Sequence, residues 1–212
     1  MRQVVGAALA AAALAAGTAQ AQSVKDFPDV TDNSFVQANG SKVLKIAIIV
    51  PAPREKVWER ALTTEGYKAW ATPVASVDAR LGGVIESAYS TKARLGEPDN
   101  IRNQIVLFTP GRAFGIQNIT APASLPGRKE FGDIVTVMEF EDAGPGATRV
   151  TLTAVGYKPQ EPYLTLYRHF SWGNAYTLVK LRDSFTKGPI DWKRQEAEAE
   201  AKAAAAKVQG GR

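Results

Sequence analysis

The side chains in this chain that could do chemistry are few, and their spacing limits what that chemistry could be. His169 is the single histidine among 212 residues and there is no cysteine, which removes thiolate nucleophiles, disulfides and His- or Cys-rich metal centres. A Ser/His/Asp triad would have to use His169, and no Gly-x-Ser-x-Gly turn exists to present its serine. His169 is therefore read as a surface or capping residue beside Phe170. Glu86, in GGVIES, shares a strand face with Val84 and Ala88 if alternation holds. On an apolar inward face desolvation would raise its pKa, making it an acid or a hydrogen-bonding anchor; on the outer face it would be solvated. Glu139 and Glu141 alternate against Met138 and Phe140 and are expected to face water. Asn103 falls in phase with Ile101, Ile105 and Leu107, and an amide among apolar side chains needs a partner, either a ligand or a strand neighbour. Asn174, next to Gly173, presents the same choice. Trp58, Tyr67 and Trp70 read as core aromatics, with Trp70 placed nearest a pocket mouth. The glycines of RLGGVIES and GPGATR are turn glycines, since a phosphate cradle requires a strand, loop and helix in succession.

The element that must organise these residues is the stretch from Pro159 to Lys187. Leu166, Phe170, Thr177, Leu178, Leu181 and Phe185 recur at the three-and-four spacing of one helical face, so the stretch predicts an amphipathic helix. Gly173 and Asn174 interrupt that stripe, and an interior glycine costs roughly 1 kcal/mol relative to alanine, which points to a close approach or a cavity there. Gly188-Pro189 ends the helix. Upstream, KVLKIAIIV before Pro51 is a buried strand, and Pro53 opens two short helices holding Val57, Trp58, Tyr67 and Trp70. Alternating runs then follow on both sides of Gly82-Gly83, in NIRNQIVLFT, in RAFGIQNIT, in DIVTVMEFE and in TRVTLTAVGY, about six antiparallel strands in all. A sheet of hairpins must cover one face, and the long helix is the only element large enough to cover it. The fold class is α+β, a curved antiparallel sheet wrapped around a long C-terminal helix. The boundaries are a leader at 1–21, a linker at 22–41, the domain at 42–192 and an Ala/Glu/Lys-rich, solvated or disordered tail at 193–212.

Five motifs in order carry a resemblance: VPAPREKVWERALTTEGYKAW, VDARLGGVIES, IVLFTPGRAF, VMEFEDAGPGATRVTLTAVGY and the long helix. Together, over roughly Val43 to Pro189, they resemble the START-like or polyketide-cyclase-like (SRPBCC) superfamily, and within it the heat-shock-ATPase-activator-homologue branch. The resemblance implies a helix-grip fold with a hydrophobic cavity between sheet and C-terminal helix. It also implies functions spread over lipid or small-hydrophobe binding, cyclisation and co-chaperone work. The chain departs from the family at the start of the long helix, where it reads Ser171-Trp172-Gly173-Asn174.

Three functions compete. The first is an exported carrier of a small hydrophobic molecule or lipid, its cavity lined by Trp70, Glu86, Asn103, Tyr167, Phe170, Gly173 and Asn174. The second is a cyclase or aromatase-type enzyme using Glu86, Asn103 or Tyr167 as acid–base groups, against which stands the lack of a closely spaced acid–base pair. The third is a chaperone-associated module. None requires a cofactor or a metal. Export is expected because Arg2, an Ala/Leu core and Ala19-Gln20-Ala21 have the form of a signal peptide cleaved before Gln22, which directs the protein to the periplasm. Removing Arg2 lowers the formal charge from +5 to +4, and the basic residues are scattered, so nucleic acid is not the expected partner. A weak attraction to anionic membrane surfaces is compatible with that charge.

Overall fold

The structure, a computed structural model, describes residues 22–209, and the expected leader at 1–21 lies outside the described residues. A 3-10 turn at Val24–Asp26 and two short strands, β1 (Thr31–Asp32) and β2 (Phe35–Val36), lead into β3 (Lys42–Val50). Helices α1 (Arg54–Leu62) and α2 (Thr64–Lys68) follow. Next come β4 (Val74–Val77), β5 (Val84–Ala88), β6 (Ile101–Thr109) and β7 (Ala113–Thr120). The short helix α3 (Arg128–Phe131) precedes β8 (Val135–Asp142) and β9 (Thr148–Tyr157), and α4 (Tyr163–Thr186) and α5 (Trp192–Gln209) complete the chain. Every strand pairing is antiparallel, in the order β1-β3-β9-β8-β7-β6-β5-β4, with β2 also on β3; the sheet curves but does not close.

The alternation of β3 sets the inward face. Leu44, Ile46, Ile48 and Val50 are sealed from solvent, each contributing about 1.5–3 kcal/mol of apolar burial, while Lys45 and Ile49 point outward. The register carries this face across the sheet through Val150 and Leu152, Met138 and Phe140, Phe114 and Ile116, Ile105 and Asn103, to Ile85 and Ser87. Helix α4 lies over β3 and β9 and buries Leu166, Ala175, Leu178 and Leu181. It runs unbroken through Gly173 and ends at Gly188, whose φ of 85° is strained for any side-chain-bearing residue. Helices α1 and α2 cover the other end, where Trp58 packs edge-on to Phe140 at 5.5 Å and to Phe114 at 6.0 Å.

Two expectations need correction. Residues 22–41 are not a free linker: β1 and β2 pair with β3, Val24 and Val30 are buried, and Phe27 packs on Trp172 of α4 at 5.6 Å. The strands are two residues long, too short for alternation to register in sequence. The tail is helical rather than disordered: most of α5 stays exposed, as a solvated extension would, and its start is fixed by polar bonds rather than an apolar stripe. Trp192 Nε1 donates to the Lys68 carbonyl at 2.6 Å, Gln195 Nε2 to the Tyr176 hydroxyl at 3.2 Å, and Thr91 Oγ1 to Glu196.

Candidate functional site

Because α4 sits over β3 and β9, the inward face of β5–β7 is left to be filled by side chains alone. Trp58, Phe114 and Phe140 fill one end, and Phe131 of α3 stacked on Phe170 of α4 at 4.6 Å closes the other. Gly173 follows Phe170 by three residues on α4. A side chain begun there would meet no atom within 4 Å outside its own stretch of helix. Gly173 lies two turns from Leu166, whose side chain reaches to within 3.0–3.4 Å of where a Cβ on Gly127 would stand, in the β7–β8 connection. The Leu166–Gly173 flank of the helix therefore looks toward the β5–β8 half of the sheet. Thr177, on the same flank, spends its hydroxyl on the Gly173 carbonyl at 2.8 Å.

The inward face of β5–β7 itself presents hydroxyls and amides. Asn103 and Asn118 are partners across β6 and β7, both 8% exposed, and Asn118 Nδ2 donates to Asn103 Oδ1 at 3.0 Å. Ser87 is on β5, diagonal to Asn103; the residue is 2% exposed, and its hydroxyl, which makes no hydrogen bond among the described residues, is not among the atoms sealed from solvent. Tyr89 continues the Ile85–Ser87 face just past the strand. It is 49% exposed, yet protein crowds its hydroxyl enough for desolvation, then the nearby Tyr176 phenol, to raise its pKa. Burial likewise raises Tyr67, with Tyr89 beside it adding to the shift. The inward positions of β5–β8 from Ile85 to Phe140 carry no ionisable side chain. The mouth is crossed by α5, which ties Lys68 of α2, Tyr176 of α4, and Ser90 and Thr91 after β5 together.

Three of the expected site residues border this region and four do not. Asn103, Gly173 and Phe170 border it, whereas Asn174 is half-buried one heptad from Tyr167, on that residue's flank of α4. Glu86 is turned away: it pairs in register with Arg102 on the outer face. There it accepts from Gly96 N at 2.5 Å and Asn100 Nδ2 at 2.7 Å, and lies 3.3 Å from Arg102. Its partial burial pushes the pKa up, but Asn100, Gly96 and Arg102 outweigh that and hold the carboxyl below its ordinary value. Trp70 is 2% exposed, donates to the Arg60 carbonyl at 2.9 Å and packs edge-on to Tyr67, which makes it a core strut of α1 and α2 rather than a mouth residue. Tyr167 points to the opposite side, against Tyr157 at 5.3 Å and under the Lys42 ammonium at 4.9 Å. His169 is on the outer side of α4, edge-on to Phe170, its pKa lowered by desolvation. Ser87, Tyr89 and Asn118 were missed, although the same alternation that selected Asn103 puts Ser87 beside Ile85 and Asn118 beside Ile116.

Two surface grooves, about 450 and 750 Å³, lie elsewhere. One separates α1 and α2 from Phe185 and Pro189, the other α4 from α5; both are half open and lined by charged residues such as Lys56, Glu59, Lys180 and Arg194. Among the described residues no helix is long and apolar enough to cross a membrane, and no cluster of three His, Asp or Glu side chains is placed to hold a metal.

A curved antiparallel sheet gripping one long helix, with part of its inward face left to side chains, defines the helix-grip class. The chain belongs to the polyketide cyclase / dehydrase and lipid transport family, whose model matches residues 43–166. It is thus an SRPBCC domain of the ligand-binding and cyclase-like kind. Among solved structures, the Aha1 dimer from Colwellia psychrerythraea is 18% identical, with 69% of this chain and 97% of that one covered and a TM-score of 0.52. The protein Ms6760 from Mycobacterium smegmatis is 17% identical over 74% of this chain and 98% of its own, with a TM-score of 0.53. A conserved protein of unknown function from Enterococcus faecalis is 10% identical over 83% and 92%, with a TM-score of 0.52. At these identities the likeness is one of fold. No curated protein matches the sequence.

Proposed function

We propose that this protein is an exported carrier that holds a small, uncharged hydrophobic molecule or lipid in the cleft between α4 and the inward face of β5–β7. The observation that supports the reading is the open space at Gly173 on the covering helix, together with an inward face on β5–β7 of apolar, amide and hydroxyl side chains with no ionisable group. Such a lining solvates an apolar body and orients it through a few polar atoms, and it offers no charged group to a charged ligand. It also supports binding over catalysis. The carboxylate expected to act as an acid, Glu86, faces outward.

Native mass spectrometry of protein purified from its own envelope fraction tests this. A noncovalent adduct of a few hundred daltons that extracts into organic solvent is the expected result. An apo mass, together with no binding of the neutral apolar probe N-phenyl-1-naphthylamine, would contradict it.

A further inference from the structure

The asparagine pair on the inward face is half satisfied in a way that specifies a ligand group. Asn118 Nδ2 faces the main-chain carbonyls of Arg102 at 3.2 Å and Thr120 at 2.8 Å, which can only accept, so its orientation is fixed. It reaches Asn103 at 3.0 Å, and Asn103 must therefore turn its oxygen toward it. Two atoms are then left over: Asn103 Nδ2, a donor with no acceptor, and Asn118 Oδ1, an acceptor with no donor, among the described residues. Among the described residues the side-chain atoms that are both sealed from solvent and unpartnered are Arg54 Nε and Arg102 Nε, so the two free amide atoms keep some contact with accessible space. The Ser87 hydroxyl, without a partner as well, stands on the next strand diagonal to Asn103, about 7–8 Å away by strand geometry.

We propose that the Asn103–Asn118 pair is a subsite for a ligand hydroxyl, which accepts from Asn103 Nδ2 and donates to Asn118 Oδ1, so that the carrier takes neutral alcohols or phenols with an apolar body. The inference rests on the cleft reading above. A hydroxyl is the smallest neutral group that accepts and donates at one atom. A carboxylate satisfies Asn103 but sets a negative charge against the Asn118 oxygen on a face that has no cation. An amine satisfies Asn118 and leaves Asn103 unpaired. A plain hydrocarbon leaves both atoms unpaired, unless water stays behind to fill the subsite.

Three probes of one shape separate these cases by ligand-observed NMR or calorimetry at pH 7: 2-naphthol, 2-methylnaphthalene and 2-naphthoate. The expected order puts 2-naphthol about ten-fold tighter than 2-methylnaphthalene, with 2-naphthoate weakest. Asn103→Leu should bring 2-naphthol down to the 2-methylnaphthalene value and leave the latter within two-fold. If that variant does not fold, the wild-type order alone decides. Equal affinities for 2-naphthol and 2-methylnaphthalene would mean that water occupies the subsite and would overturn the inference while leaving the cleft. Tightest binding by 2-naphthoate would overturn the neutral-ligand claim. Binding of none of the three would overturn the cleft reading and the subsite with it.

Discussion

Replacing Gly173 by leucine separates a ligand space from a tight helix–sheet contact. At this position the backbone is helical and a Cβ meets nothing within 4 Å, so the first carbon of any new side chain enters without a clash. Gly173→Ala should gain the propensity difference, about 0.8–1 kcal/mol. In a domain of this size that raises the melting temperature by roughly 2–4 °C. Gly173→Leu gains nearly the same propensity and extends three more carbons into the cleft, so its melting temperature should equal or exceed that of the wild type. Binding of N-phenyl-1-naphthylamine should fall at least about ten-fold, because the leucine takes the space that the probe would fill. Circular dichroism melts and fluorescence titration of both variants provide the two readouts. If the space is instead too small for a side chain, leucine overpacks the core at about 1–3 kcal/mol and the melting temperature drops by roughly 2–12 °C. That drop, or unchanged stability with unchanged probe binding, would refute the assignment of this space to a ligand.

Other consequences follow from the same geometry. Glu86→Gln should leave probe binding unchanged but cost about 1–2 kcal/mol at pH 7 by removing the charge opposite Arg102. Since the Glu86 pKa is depressed in the folded state, its contribution is complete above the ordinary carboxylate pKa and disappears as the pH falls through the folded value. The melting-temperature gap between wild type and variant should therefore narrow as the pH falls below the ordinary carboxylate range, and a constant gap would remove the charge argument. Ending the chain after Asp191 deletes the Trp192, Gln195 and Glu196 bonds that tie α5 across the mouth, so probe dissociation measured by stopped flow should accelerate at least three-fold; an unchanged rate would show that the helix does not restrict access. The mature protein should begin at Gln22, and an intact mass from the envelope fraction that still includes Met1 to Ala21 would remove the exported location.

Much of the sheet is legible in the sequence, because β3 is a dense β-branched run and Gly82-Gly83 marks a hairpin whose two strands alternate cleanly. Alternation says which residues share a face but not which face is inside. For that reason alternation groups Glu86 with Val84 and Ala88, while its outward direction emerges only from the pairing with Arg102 and from the N–H donors of Gly96 and Asn100. Period two also cannot anticipate a bulge: the register shift between Ile105 and Leu107 turns Leu107 outward, 40% exposed, although it reads in phase with Asn103. On α4 the spacing places Tyr167 near the apolar stripe, but a stripe wider than one strand has two flanks, and Tyr167 belongs to the one above Lys42. Helix α5 escapes because its docking depends on single hydrogen bonds to main-chain and hydroxyl groups far away in sequence, which leave no hydrophobic period.

The central claim is that the ligand sits between Gly173 and the inward amides, and amide NMR during titration with N-phenyl-1-naphthylamine tests it most directly. The account predicts the largest shifts at Gly173, Asn174, Ser87 and Tyr89 and at the side-chain NH2 of Asn103, with Glu86 and the outer-face residue Ile119 unmoved. Shifts concentrated on Ile119 and Val155, or in the groove around Lys56 and Phe185, would contradict it.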